Sequence, residues 1–202
     1  MKQGRRVWLG VIALIAVMGA LACSFWADEA VKSWVADHPN QTAKIFMHYV
    51  SRIGDWQGHF ALGLLLLGAA WWRGSKKWMR VFLAMLIACA LAGIAARAIK
   101  VTTGRARPSV QTEHVWNGVQ WKAKYHAFPS GHVASSTAFF AVLLFVNWRI
   151  AAACLPIPLL IASSRIYLNA HYLSDVVFAA MLGLLCAAVT AHYAFKRAPR
   201  PG

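Results

Sequence analysis

Residues 79–99 read MRVFLAMLIACALAGIAARAI, an apolar run whose only charges are Arg80 and Arg97, near its two ends. A helix rises about 1.5 Å per residue, so this run reaches across the roughly 30 Å of a bilayer's hydrocarbon core. Working outward, comparable windows lie at 7–26, 56–72, 130–147, 150–168 and 173–195. The reading is an all-α, polytopic membrane protein of six transmembrane helices, forming a single domain over residues 1–202. Composition agrees, with 59% apolar and 13% charged residues, far from the balance of an ordinary soluble domain.

The formal charge of +15 would suggest nucleic acid for a soluble protein, but here its placement serves topology. With a cytoplasmic N-terminus, the inside segments carry Lys2, Arg5, Arg6, Arg73, Lys76, Lys77, Arg80, Arg149, Lys196, Arg197 and Arg200, and no acid. The first outside segment carries Asp28, Glu29, Asp37 and Asp55 against Lys32, Lys44 and Arg52. That contrast fits the positive-inside rule and places both termini in the cytoplasm. Arg97, Lys100, Arg105, Arg107, Lys122, Lys124 and Arg165 fall on the outside, against the rule. A function there must call for positive charge.

The stretch 27–57 is too polar to cross. Ile45, Phe46, Tyr49, Val50 and Ile53 recur at helical spacing, with Val31, Trp34 and Val35 forming a smaller face. An interfacial helical segment is expected between helices 1 and 2. Ala20-Leu21-Ala22-Cys23 after an apolar run also fits a signal peptide, a reading disfavoured by the five spans that follow. Cys23, Cys89, Cys154 and Cys186 lie in apolar windows and are assigned no chemistry. The tail Lys196 to Gly202 is expected to be disordered.

Three segments hold polar residues that a membrane protein keeps only when they are paired or working. In Lys100-Val-Thr-Thr-Gly-Arg105-Ala-Arg107-Pro108, cations crowd together as they do around an anion. Guanidinium forks match phosphate oxygens, and lysine adds a compact charge. Pro129-Ser130-Gly131-His132 opens an apolar helix, whose first N–H groups favour an anion. There Ser130 can donate, Gly131 allows close approach, and His132 is placed to protonate a leaving alkoxide. In Ser164-Arg165-Ile-Tyr-Leu-Asn-Ala-His171-Tyr-Leu-Ser-Asp175, the last two ionisable groups are four residues apart, on one helical face. A carboxylate so placed can hold the imidazole in one tautomer while its other nitrogen attacks.

Together the three segments resemble the signature of the type 2 phosphatidic acid phosphatase (PAP2) superfamily, in order and without gaps over residues 100–175. The resemblance implies a phosphatase in which His171 attacks phosphorus, Asp175 orients it and His132 protonates the leaving group. Lys100, Arg107, Ser130, Gly131 and Arg165 would bind the phosphoryl oxygens, and no metal or other cofactor is called for. Arg105 stands outside the core motif, with no role assigned.

The expected partners are the lipid bilayer and a membrane lipid phosphate, with no nucleic acid. The expected location is a bacterial inner (cytoplasmic) membrane, with the site facing the periplasm or outside. Undecaprenyl diphosphate ranks first among substrates, with phosphatidylglycerophosphate, phosphatidate and lipid A phosphates as alternatives. A lipid-linked phosphotransferase would use the same site. A soluble haloperoxidase is excluded by the apolar windows, and a non-catalytic lipid-phosphate receptor would not need His171, His132 and Asp175 together.

Overall fold

The computed structural model describes residues 2–196, with side chains at position 8 and from position 10 onward. The tail expected to be disordered lies, beyond Lys196, outside the described residues, as do the side chains of Lys2, Arg5 and Arg6. Eight α-helices follow in order: α1 Lys2–Asp37, α2 Gln41–Ile53, α3 Trp56–Trp72, α4 Lys76–Thr103, α5 Gly131–Ala141, α6 Trp148–Cys154, α7 Pro156–Tyr167 and α8 Leu173–Phe195. Short 3-10 turns occupy Ala123–Tyr125 and Val142–Phe145. No strand occurs among the described residues, where the β-type pairing is an isolated bridge between Arg105 and Trp116.

Gly10–Asp37, Lys76–Thr103, Trp148–Tyr167 and Leu173–Phe195 are long and apolar enough to cross a membrane. α3, at 17 residues, and Gly131–Phe145 are apolar but shorter.

Two boundaries differ from the sequence expectation. α1 does not stop near position 26 but continues to Asp37, taking Val31, Trp34 and Val35 with it. Nothing breaks the helix before Pro39, and a residue preceding proline is pushed out of the helical region. Only α2 remains as a separate amphipathic helix, capped by Asn40, whose Oδ1 accepts from the Ala43 N–H at 2.9 Å. The window 150–168 is divided into α6 and α7 at Leu155. Pro156 lacks an N–H and suits the first turn of the second helix.

The core lies where α4, α5 and α8 cross. Ala84, Ala88, Ala92 and Ala96 form a buried stripe along α4, Ala134 and Ala138 lie on α5, and Val176, Ala179 and Ala187 on α8. Small side chains let helix backbones approach closely where lipid gives no hydrophobic drive to associate. Gly183 on α8 faces the backbone of α5 directly: a Cβ there would stand 2.7 Å from the Ala134 carbonyl oxygen and 2.9 Å from the Ala138 nitrogen. Gly183→Ala must therefore part α5 from α8, costing about 1–3 kcal/mol as overpacking does. Gly68→Ala on α3, where a Cβ meets nothing within 4 Å, should be neutral or slightly stabilising by helix propensity. Thermal unfolding in detergent checks the contrast.

Candidate active site

The polar segments meet at one end of the helix bundle because each lies at a helix terminus. α4 ends at Gly104, where φ is +54° and the N–H returns to the Lys100 carbonyl at 3.1 Å. Glycine takes this left-handed conformation without strain, and a Cβ would collide with the Gly118 carbonyl. The chain then carries Arg105 to Arg107 back across the mouth of the bundle. The Arg105 carbonyl accepts the Ala127 N–H at 2.9 Å, and the Asp175 carbonyl accepts the Ser130 N–H at 3.1 Å. Beyond α7, the Arg165 carbonyl accepts the N–H groups of both Ala170 and His171, at 3.1 and 3.2 Å. α8 opens with a capping box in which Asp175 Oδ2 accepts the Tyr172 N–H at 2.8 Å.

His171 is buried, with Nδ1 2.6 Å from the Ala127 carbonyl oxygen. A carbonyl only accepts, so Nδ1 carries the proton and Nε2 is left with its lone pair. The expected partner, Asp175, has Oδ2 3.6 Å from the same nitrogen, beyond hydrogen-bond reach. The Ala127 carbonyl accepts the Nδ1 proton, and the Asp175 carboxylate stands close enough to stabilise a cationic ring. Burial first, then the charges of Lys100, Arg165 and Arg107, hold His171 well below its ordinary value of 6.5.

Lys100 reaches the His126 carbonyl with Nζ at 2.9 Å, and a Cβ built on Gly131 would lie 3.6 Å from Lys100 Cε. That is ordinary contact, so packing alone does not demand glycine at 131. Arg165 donates from its terminal nitrogen to Ser51 Oγ on α2. Arg107 Nε, Arg165 Nε and Ser130 Oγ are buried without a hydrogen-bond partner among the described residues. Buried donors are almost always paired, and these three belong to residues expected on a phosphoryl group.

His132 stands in the first turn of α5, with Nε2 3.6 Å from Asp55 Oδ1. Asp55 caps α3, its Oδ1 accepting the Trp56 N–H at 2.8 Å. A groove of about 540 Å³ between α3 and α4 starts at Asp55, Lys100 and His132 and continues over Trp56, Phe60 and Ile94. Its charged end and apolar length suit a lipid whose head meets the cations.

Two functional candidates escaped the sequence reading. Arg105 is buried and bridges two helices: it donates to Asp175 Oδ1 at 2.6 Å on α8 and to Asp28 Oδ2 at 2.6 Å on α1. Asp28 also accepts from the Ser174 hydroxyl at 2.6 Å and its N–H at 2.8 Å. Tyr172 covers the guanidinium with its ring centroid at 4.2 Å, and Trp116 does so at 4.8 Å. In sequence Asp28 is one acid of the first outside segment, and the continuation of α1 past it is what brings it to Arg105.

All eight residues singled out from the motifs lie at this end of the bundle, on a scaffold of apolar helices, with the charges of Lys100, Arg165 and Arg107 close enough to act on buried His171. The fold and site define a helical membrane protein with cations gathered near two histidines. The chain belongs to the PAP2 superfamily, whose model matches residues 78–199. It is similar to the lipid A 1-phosphatases of Rhizobium etli and Rhizobium johnstonii, each 35% identical over 119 residues that cover 53% of this chain and 50% and 48% of theirs. The chain spans about half the length of the curated relatives it matches. Among solved structures, the PAP2-type phosphatidylglycerolphosphate phosphatase of Bacillus subtilis superposes with a TM-score of 0.70 at 20% identity, over 95% of this chain and 98% of that one. Aquifex aeolicus LpxE gives 0.64 at 19%, over 82% and 95%. These two likenesses concern the fold.

Proposed function

We propose that this protein is a lipid phosphate phosphatase that works through a phosphohistidine, without a metal. The carrying observation is the arrangement at His171. Its Nδ1 is tied to the Ala127 carbonyl, its Nε2 is free, and the donors of Arg107, Arg165 and Ser130 are buried without partners beside it. Neutral His171 attacks phosphorus through Nε2 as the bond to the lipid oxygen breaks, and His132 gives that oxygen its proton. Water then attacks the phosphohistidine, returning a proton to His132 and freeing phosphate. Lys100, Arg107 and Arg165, with Ser130 and the α5 N-terminus at Gly131, stabilise the three equatorial oxygens. Asp55 and Asp175 face the two rings at 3.6 Å and favour their cationic forms as each gains charge.

In this reading the chain is one domain with six crossings, α6 and α7 forming one of them. α2 lies in the outer interface with Phe46 and Ile53 exposed to lipid. Both termini are cytoplasmic, in a bacterial inner membrane, and the site faces outward. Substrate reaches it sideways along the α3/α4 groove. The rhizobial relatives' names support a lipid A phosphate as substrate, whereas undecaprenyl diphosphate, first in rank from sequence, rests on the family resemblance.

The test is phosphate release by the purified protein in detergent with excess EDTA, from lipid A, undecaprenyl diphosphate, phosphatidylglycerophosphate and phosphatidate in parallel. Release that persists in EDTA from at least one lipid is expected. Transfer of the phosphate to a lipid acceptor, with none freed to water, would instead make the protein a phosphotransferase.

The pH dependence has a definite sign. Only neutral His171 attacks, and its lowered pKa keeps it neutral as the pH falls, so loss of kcat/KM on the acid side belongs well below pH 6.5. An acid limb with its midpoint at 6.5 or above, with chemistry limiting, contradicts the role given to His171.

A further inference from the structure

His132 borders two cavities. One is the apolar groove between α3 and α4. The other, about 480 Å³, lies under α2 and is lined by Ile45, His48, Tyr49, Ser51, Arg52 and His132. His48 and Arg52 are four residues apart, on one face of α2. Both are exposed, and neither has an acidic partner among the described residues.

α2 is held firmly over this space. The Asn40 N–H donates to the Tyr167 hydroxyl at 3.2 Å, Arg165 donates to Ser51, and a Cβ on Gly54 would stand 2.5 Å from Ile161 Cγ1. Arg52 follows Ser51 directly, so its place in the chain is set one residue from a contact with a cation of the phosphoryl pocket.

We infer that the cavity under α2 is a second anion subsite, in which His48 and Arg52 take a phosphate carried on the leaving-group side of the scissile bond. This rests on the phosphatase reading, in which His132 protonates the leaving oxygen. Whatever hangs from that oxygen starts where His132 separates the two cavities. The lipid tail follows the apolar groove, and an anionic branch of the same leaving group turns to the cationic cavity. A guanidinium with free donors beside a serine hydroxyl and an imidazole suits phosphate oxygens. That second phosphate is either bonded directly to the scissile one, as in a lipid diphosphate, or carried elsewhere on a phosphorylated sugar head.

The experiment compares two matched pairs in detergent: farnesyl diphosphate against farnesyl monophosphate, and lipid A bearing two phosphates against lipid A bearing only the phosphate that is removed. Wild type is expected to prefer the doubly phosphorylated member of at least one pair. The double variant His48→Gln/Arg52→Gln should reduce that ratio of kcat/KM by about tenfold to a hundredfold, the range of one or two charged hydrogen bonds. A fall in the farnesyl pair identifies the directly bonded phosphate, and a fall in the lipid A pair the remote one. Ratios that stay unchanged, or an equal loss on all four substrates, overturn the subsite. Calorimetric binding of methylenediphosphonate against methylphosphonate gives a readout without turnover. Tighter diphosphonate binding, lost in the variant, supports the subsite even if no lipid is hydrolysed, an outcome that would end the phosphatase reading alone. Equal binding of the two by wild type overturns the directly bonded form, and an unchanged lipid A ratio overturns the remote one.

Discussion

His171→Asn should lower kcat/KM for phosphate release by about ten-thousandfold or more while leaving the protein folded. The scale is that of deleting a nucleophile from a site whose remaining parts act only with it. Asparagine is smaller than histidine and its amide can still donate toward the Ala127 carbonyl, now accepting at 2.6 Å from Nδ1. What is lost is Nε2. Rapid quenching with a ³²P-labelled lipid should trap acid-labile label on the wild-type protein and none on the variant. His132→Asn should differ in kind, because an acid is needed chiefly for a poor leaving group. Its deficit should shrink markedly with a p-nitrophenyl phosphate ester, whose phenolate leaves without a proton, whereas the deficit of His171→Asn should not. Equal deficits on both substrates would contradict the division of roles between the two histidines.

The residues legible in the sequence were those whose spacing along the chain already describes their chemistry. Lys100 and Arg107 frame a cationic turn, Ser130 to His132 open a helix, and His171 stands four residues before Asp175, just ahead of α8; each is a local pattern. Partnerships formed across the fold were hidden. Arg105 reads as one more cation of an outside segment until Asp28, 77 positions away, is brought against it by α1. Asp55 was visible as a carboxylate just before the apolar run from Trp56, a cap position, but nothing in that run points to His132. The Ala127 carbonyl carries no side-chain signature, so its bond to His171 has no trace in the spacing of the motif. Element boundaries followed the same division. The apolar windows located the helices, but a window measures hydropathy, and α1 continues through polar Ser24, Asp28 and Glu29 because no residue there breaks it. Exposed Phe46 and Tyr49 on α2 were legible by spacing, while the cavity beneath them depends on how α7 holds that helix.

Arg105→Met should cost about 3–5 kcal/mol of stability, the scale of stranding buried charge by removing its counter-ion. The guanidinium is the sole cation within salt-bridge reach of both Asp28 and Asp175 among the described residues, and the side chains of all three are 6% exposed or less. Once it is gone, Asp28 keeps Ser174 as a donor and Asp175 Oδ2 keeps the Tyr172 N–H, but Asp175 Oδ1 has no donor left. Arg105→Lys should recover only part of the loss, because a single ammonium does not reproduce a fork that spans carboxylates on two helices. The informative variant is Arg105→Met with Asp28→Asn. It removes one of the two stranded charges, so it should be more stable than Arg105→Met alone, although it carries one more substitution. Such a rescue distinguishes an electrostatic role from simple packing under Tyr172 and Trp116, which Asp28→Asn does not touch. Thermal unfolding of the four proteins in one detergent gives the coupling, and its sign is the test: additive or mutually worsening losses would mean that Arg105 acts by packing. Activity should not return with stability, because Asp175 lacks its Oδ1 partner in the double variant as well. A double variant near wild type in unfolding temperature but still deficient in phosphate release would show that the Arg105 bridge sets the position from which Asp175 faces His171.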